Sequence, residues 1–264
     1  MVSLVVREGE VEVEVEGRRA RMRRETTGQL RAAALEEVRE HGAVDLSLRR
    51  VARRMGMSPA GLYRYVASRE DLLTWLIADG FNDLADHLFA ALGTSDQLSV
   101  PDGGPAVADI ADDTADVAAR LRAVSKTYRA WSVAHPNQFG LLFGNPIPGY
   151  AAPVDGATTA AMTRVGQALG SPLVEAWHQG RLRPVVQQID DELAQRLAPM
   201  AGVATVPVTP ELALTLLLTW GRLHGQVSLE VFGHHAWLFP DGCQALFDAD
   251  VEALLRDLHV VDAP

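Results

Sequence analysis

The chain has 264 residues, 48% of them hydrophobic, with a formal net charge of −10 and a single cysteine. That length suits one large or two modest domains with a sizeable core, and the lone Cys243 excludes an intrachain disulfide and fits a reducing compartment. There is no apolar run of about 18 residues and no basic region leading into a hydrophobic stretch at the start, so neither a membrane span nor a secretory leader is expected and the cytoplasm is the expected location.

The charge is unevenly placed. Residues 17–70 carry 13 Arg against 6 Asp and Glu, a formal +7, whereas residues 71–264 carry 10 Lys and Arg against 23 Asp and Glu, a formal −13. A basic segment followed by an acidic remainder is the footprint of a nucleic-acid module on a body that does not touch nucleic acid.

Residues 1–22 differ in pattern from the rest of the chain. Val11–Glu16, VEVEVE, alternates with period two, the pattern of a strand. A lone strand without a partner is unstable, so residues 1–22 read as a mobile, disordered acidic extension. Arg18, Arg19, Arg21, Arg23 and Arg24 come next after the alternating stretch. The cluster reads either as an arm reaching the DNA backbone or minor groove or as a solvated charge run.

A first helix is expected from about Arg24 to His41, with Leu30, Ala33, Ala34, Glu37, Val38 and His41 along one side and Gly42 as its stop. Residues 47–66, SLRRVARRMGMSPAGLYRYV, are the most telling stretch. Ser47 caps a second helix in which Leu48, Val51, Ala52 and Met55 recur at i, i+3, i+4 and i+7. Gly56 comes next, where a helix end wants positive φ. Ser58 then stands as N-cap with Pro59 at the first helical position, and Leu62 and Val66 continue the apolar face. Two short helices joined this tightly must cross steeply, which is helix-turn-helix geometry. Pro59, Ala60, Gly61 and Arg64 point away from the Leu62/Val66 face. Small residues there let a helix lie close to the groove floor, Arg64 can fork onto guanine O6 and N7, and Tyr63 and Tyr65 offer hydroxyls to phosphates.

Ser68 caps a long fourth helix, Arg69 to about Leu92, with Asp71 three residues after the cap. It is expected to join the basic module to the body. Residues 93–104 read as a loop, followed by a helix from about Val107 to His135 closed by Pro136, and a short helical piece over Asn137–Phe143. Residues 144–156 should be irregular. Further helices are expected at 157–169, 172–180, 186–197, 211–232 and 243–259, with a loop at 199–210. The expected fold is all-α: an N-terminal three-helix helix-turn-helix domain followed by a helical body.

Residues 24–75 resemble the DNA-binding domain of TetR-type transcriptional regulators. The resemblance rests on Ala52-x3-Gly56-Met57-Ser58-x3-Leu62-Tyr63-x-Tyr65-Val66 and continues through Ser68-Arg69-Glu70-Asp71-Leu72-Leu73. It implies a DNA-contacting set of Ser47, Arg49, Ser58, Pro59, Ala60, Gly61, Tyr63, Arg64, Tyr65 and Arg69, with Ser47 matching a phosphate-binding position whose helix N-terminal amides help. A second, looser resemblance spans residues 107–259. Trp220-Gly221-Arg222-Leu223-His224-Gly225, with Tyr128-Arg129-Ala130-Trp131 and His135-Pro136-x2-Phe139-x-Leu141-Leu142-Phe143-Gly144, is similar to the WHG type of TetR ligand-binding domain, named for its Trp-x3-His-Gly signature. It implies an effector-binding and dimerising body without naming the effector. Candidate pocket residues are Tyr128, Trp131, Phe139, Phe143, Met162, Trp177, Trp220 and His224, of which some are expected to line a cavity and the rest to be plain core.

No metal or cofactor is expected. Glu230 and His234 are spaced i, i+4 and could face one ion, but a polar helix C-terminus is the better reading. Catalytic motifs are lacking too: there is no G-x-S-x-G, P-loop or G-x-G-x-x-G, and neighbours such as Asp112-Asp113 and Asp190-Asp191 point about 100° apart on a helix. The expectation is therefore not an enzyme but a homodimeric repressor. Residues 1–22 are its extension, 23–75 its DNA-binding domain and 76–264 its effector-binding and dimerisation domain. It would bind a palindromic operator in double-stranded DNA, pair through 211–232 and 243–259 as a four-helix bundle, and be released by a small molecule. The alternatives are an activator, or a helical small-molecule-binding protein or enzyme with a vestigial head.

Overall fold

The computed structural model describes residues 2–7, 10–15, 17–93, 117–186, 188–202 and 207–260. The chain forms two compact units: residues 1–77 with Asn145–Ala152, and Ala78–Gly144 with residues 153–264. The described residues form ten α-helices in all, and the second unit has no strand among them, so the body is all-α as expected.

The N-terminus departs from the sequence reading. β1 (Val2–Arg7) and β2 (Glu10–Val15) pair antiparallel, with Val2 opposite Val15 and Arg7 opposite Glu10. The period-two stretch thus has a partner in β1, so the described residues 2–7 and 10–15 are paired strands where a lone, unstable strand was expected. α1 (Arg18–His41) begins six residues earlier than Arg24, so the arginine cluster is helical.

In the first unit, α1 buries Leu30, Ala33, Ala34, Glu37 and Val38 and stops at Gly42, whose N–H bonds the Val38 carbonyl at 2.8 Å. α2 (Leu48–Arg54) is capped by Ser47 Oγ, which accepts from the Arg50 amide. Its end is a Schellman turn: Met57 N–H reaches Ala52 O at 2.9 Å and Gly56 N–H reaches Arg53 O at 3.1 Å. That turn requires the positive φ of +66° that Gly56 adopts. α3 (Pro59–Leu62) is capped by Ser58 Oγ accepting from Gly61 N–H, and its turns run on to Val66 through Tyr63 N–H to Pro59 O and Val66 N–H to Leu62 O. Leu30, Ala34, Val51, Ala52, Leu62, Leu72 and Leu73 are fully buried and form the core of this unit. The segment Asn145–Ala152 belongs to it through Tyr150, whose hydroxyl lies 3.2 Å from Thr74 Oγ1.

α4 (Arg69–Ala91) carries the chain from the first unit into the second. There α5 (Val117–Ala134) touches α6 (Pro136–Phe143), α7 (Ala157–His178), α9 (Pro210–Val231) and α10 (Gln244–Asp257), while α8 (Asp191–Leu197) lies on α9. Gly80 of α4 sits where a Cβ would come within 3.1 Å of the Leu142 side chain of α6, so glycine permits this close approach. The expected helix start at Val107 and most of the loop 93–104 lie outside the described residues. The helices expected at 157–169 and 172–180 are one continuous α7 with Pro172 inside it. Pro172 cannot donate to the Ala168 carbonyl, and Ser171 Oγ supplies that bond instead at 3.3 Å. The helix expected at 186–197 begins only at Asp191, where Asp190 caps the Leu193 amide at 2.8 Å. No described helix is long and apolar enough to cross a membrane.

Candidate functional site

Two groups of residues could carry function, one in each unit. The first is the outer surface of α2, the turn and α3. Leu62 and Val66 are buried beneath it, and Pro59, Ala60, Tyr63 and Arg64 are exposed above. Tyr63 is 56% exposed, so its hydroxyl is free to reach outward. Ser47 and Ser58 use an oxygen lone pair in their helix caps yet keep a hydroxyl proton to donate. Gly61 is half-exposed.

The arginines of this surface divide into two sets. Arg50 donates to Glu37, and Arg54 donates to Glu40 at 2.5 Å, so α1 neutralises the inner side of α2. The Arg54 guanidinium in turn holds the Glu40 carboxyl below its usual range. Arg49, Arg53 and Arg64 are exposed and have no acidic partner among the described residues. Arg49 and Arg53 are one turn apart on one face of α2. Arg53 was not among the expected contacts, although its i+4 relation to Arg49 was available to find it.

Two expected DNA contacts sit differently from the sequence reading. Arg69 turns inward. Its guanidinium donates to the carbonyls of Val44, Ala43 and Leu46 at 2.8, 3.0 and 3.1 Å, and so ties down the loop between α1 and α2. Nε and Nη2 are thus engaged by backbone, and Nη1 lies 3.9 Å from Glu70, so the expected DNA contact is directed toward the protein's own loop. Tyr65 is half-buried, with the Arg23 guanidinium 5.8 Å above its ring.

The second group is an aromatic cluster in the other unit. Tyr128 OH lies 2.7 Å from His224 Nδ1, and His224 Nε2 lies 3.2 Å from Ser228 Oγ. Trp220 stacks on the imidazole at 4.9 Å and Phe139 stacks on it at 5.6 Å. Phe143 meets its edge at 4.9 Å. Phe81 and Phe232, absent from the expected set, extend the cluster against Phe143 and Phe139. The α9 spacing explains part of this: Trp220, His224 and Ser228 fall at i, i+4 and i+8 on one face. Burial pushes the Tyr128 hydroxyl up, so it stays protonated, and burial holds the His224 imidazole below its ordinary range.

Of the eight expected pocket residues, Tyr128, Phe139, Phe143, Trp220 and His224 meet here, and three do not. Met162 is 52% exposed. Trp131 is buried but faces α4, its indole N–H donating to Asp83 at 2.7 Å. Trp177 makes no ring contact with the cluster among the described residues.

Beside the cluster lies a buried polar knot that the sequence reading missed. Arg129 donates to both Glu230 oxygens, at 2.5 and 2.7 Å, and to Gln244, while Glu230 also accepts the Cys243 amide at 2.9 Å. Glu230 is therefore occupied, which removes it as a partner of His234 in a metal site. A separate cleft of about 440 Å³ is lined by Ala118, Arg122, Arg183, Glu252, Leu255, Arg256, His259 and Val260, none of them an expected pocket residue.

Comparison with known proteins places the chain. Residues 30–74 match the family described as bacterial regulatory proteins, tetR family, and residues 121–254 match the tetracyclin repressor-like C-terminal domain. The HTH-type transcriptional regulator Rv1816 of Mycobacterium tuberculosis is 32% identical over 240 residues, covering 89% of this chain and 95% of that protein. Its counterpart Mb1846 of Mycobacterium bovis matches equally. Among solved structures, that of SCO4313 superposes with a TM-score of 0.68 at 28% identity, covering 91% of this chain and all of that one. A Rhodococcus sp. RHA1 protein of unknown function superposes at 0.61 with 21% identity, covering 88% of this chain and 95% of that one. The chain belongs to the TetR family and is a helix-turn-helix transcriptional regulator.

Proposed function

We propose that the protein is a homodimeric repressor that leaves its operator when a small molecule binds the body. The observation that carries the reading is the outward set of arginines without an acidic partner among the described residues, Arg49, Arg53 and Arg64, around an exposed recognition turn whose inner face is fully buried. Arg64 reads base edges in the major groove. Arg49, Arg53, Ser47, Ser58 and Tyr63 hold phosphates, and Pro59, Ala60 and Gly61 let the backbone approach the groove floor.

Dimerisation through α9 and α10 is supported by what these helices leave uncovered. Leu217, Leu218 and Leu229 of α9 are 44%, 43% and 39% exposed. Gly221 lies between them on the surface, and Ala245 and Ala249 of α10 are exposed one turn apart. An apolar, small-residue face of this kind suits a second copy packed as a four-helix bundle.

The aromatic cluster is the proposed effector site. Its walls are aromatic and its polar groups are confined to the Tyr128–His224–Ser228 chain, so it suits a largely apolar molecule with one hydrogen-bonding group. Binding that separates these rings would favour one body conformation and shift the population away from the DNA-competent state. The test is selection of bound sequences from random duplex DNA by the purified protein, followed by a screen for compounds that release the selected duplex. A two-fold symmetric site and release are expected. A folded protein that enriches no motif overturns the reading.

A further inference from the structure

We infer that the first two turns of α1, Arg18–Arg24, form a second DNA-binding element that grips duplex phosphates beside the recognition turn. The inference rests on the DNA-binding reading above and extends it to residues that precede the matched family domain, which begins at residue 30.

The helix start is electrostatically inverted. Helix N-termini carry partial positive charge and favour acidic residues, yet α1 has no acid in its first turn. Arg18, Arg19, Arg21, Arg23 and Arg24 occupy its first seven positions, and all are exposed. Arg18, Arg19 and Arg21 make no ion pair among the described residues. Like charges spaced three and four apart on a helix repel one another. Dipole and repulsion therefore both oppose this segment in the free protein, and an external polyanion relieves both.

The position of the segment identifies that polyanion. Arg23 packs over the ring of Tyr65 at 5.8 Å, and Tyr65 directly follows Arg64 in the recognition turn. Arg19 lies one turn before Arg23 on the same helical face. The arginine turns are therefore continuous with the helix-turn-helix surface, and the charge of duplex phosphates complements them. Because a backbone grip carries no sequence information, the arm adds affinity without changing base preference.

The experiment is fluorescence anisotropy of the full chain with an arbitrary-sequence duplex across a salt series, comparing wild type with the Arg18→Gln, Arg19→Gln, Arg21→Gln variant. The expected result is a shallower plot of log affinity against log salt, by about 0.9 for each phosphate that the variant no longer neutralises, with helicity unchanged or higher. An unchanged slope in a folded variant overturns the inference. If the triple variant does not fold, single Arg19→Gln is expected to lower the slope by about 0.9, and no change there overturns it equally. A wild-type protein that binds no duplex at any salt overturns the DNA-binding reading itself. Wild-type binding whose base preference depends on Arg64, with an arm variant of identical slope, overturns the arm alone.

Discussion

The hydroxyl of Tyr128 lies 2.7 Å from His224 Nδ1, and the imidazole it meets is packed among Trp220, Phe139 and Phe143. Burial keeps the phenol protonated, so the assignment that satisfies both contacts has Tyr128 donating to Nδ1 and Nε2–H facing Ser228. The imidazole is then neutral, and burial lowers its pKa from 6.5. The unfolded chain takes up this proton near its ordinary pKa while the folded state resists it. The stability contributed here is thus whole above about pH 6.5 and is lost as pH falls through the lower folded value. Thermal melts between about pH 7.5 and 5 should show a steeper loss on acidification for wild type than for His224→Gln. Parallel pH profiles would remove the imidazole from this role.

The Arg129–Glu230 pair should behave as a buried ion pair. The two side chains are 9% and 8% exposed. Removing one partner leaves a buried charge uncompensated and costs about 3–5 kcal/mol, whereas replacing both with apolar residues of similar volume is close to neutral. Urea denaturation of Arg129→Met, Glu230→Leu and the double variant tests this. The singles should each lose several kcal/mol and the double should recover most of it. A double variant as unstable as the sum of the singles contradicts the account.

Arg69 gives a prediction that separates structure from recognition. Its guanidinium satisfies three carbonyls of the α1–α2 loop, so Arg69→Ala should lower stability by about 2 kcal/mol through unmet hydrogen bonds. Any loss of DNA affinity should follow the folded fraction. Affinity that falls tenfold at unchanged stability would instead return Arg69 to the DNA contacts.

The difference between Arg69 and Arg64 shows where sequence legibility stops. Caps, breaks and the apolar period are local, so Ser47, Gly56, Ser58 and Pro59 could be read directly, and their dihedrals and cap bonds agree. Whether an arginine faces out or closes a loop 23–26 residues away depends on tertiary approach, which no local spacing encodes. The same applies to Trp131 and Met162: their apolar character is visible, but their direction is set by Asp83 and by helix rotation. Pro172 misled because proline ordinarily ends a helix, and the Ser171 bond that rescues it is a side-chain detail. The hairpin was missed because only its second half alternates strictly in charge.

The uncovered face of α9 predicts the oligomeric state. Leu217→Glu with Leu218→Glu would place two carboxylates where the partner's helices pack, at a site already exposed in one chain, so the monomer fold should survive. Light scattering should show the mass halved, with helicity retained. A dimer that persists would move the interface elsewhere.

The outward arginines should divide by role. Arg64 stands on the recognition turn with buried Leu62 and Val66 behind it, so Arg64→Ala should weaken selected-site binding by about 1–3 kcal/mol and relax preference at one base pair in each half-site. Arg49 and Arg53 lie one turn apart on α2. A phosphate contact weakens all sequences alike when removed, so Arg49→Ala or Arg53→Ala should lower the salt slope by about 0.9 each and leave the ranking of sites untouched. Competition binding with a panel of single-base variants of the selected site, repeated across salt, distinguishes the two. If Arg64→Ala lowers affinity equally for every duplex in the panel, Arg64 grips backbone, and base readout falls to other side chains of the turn.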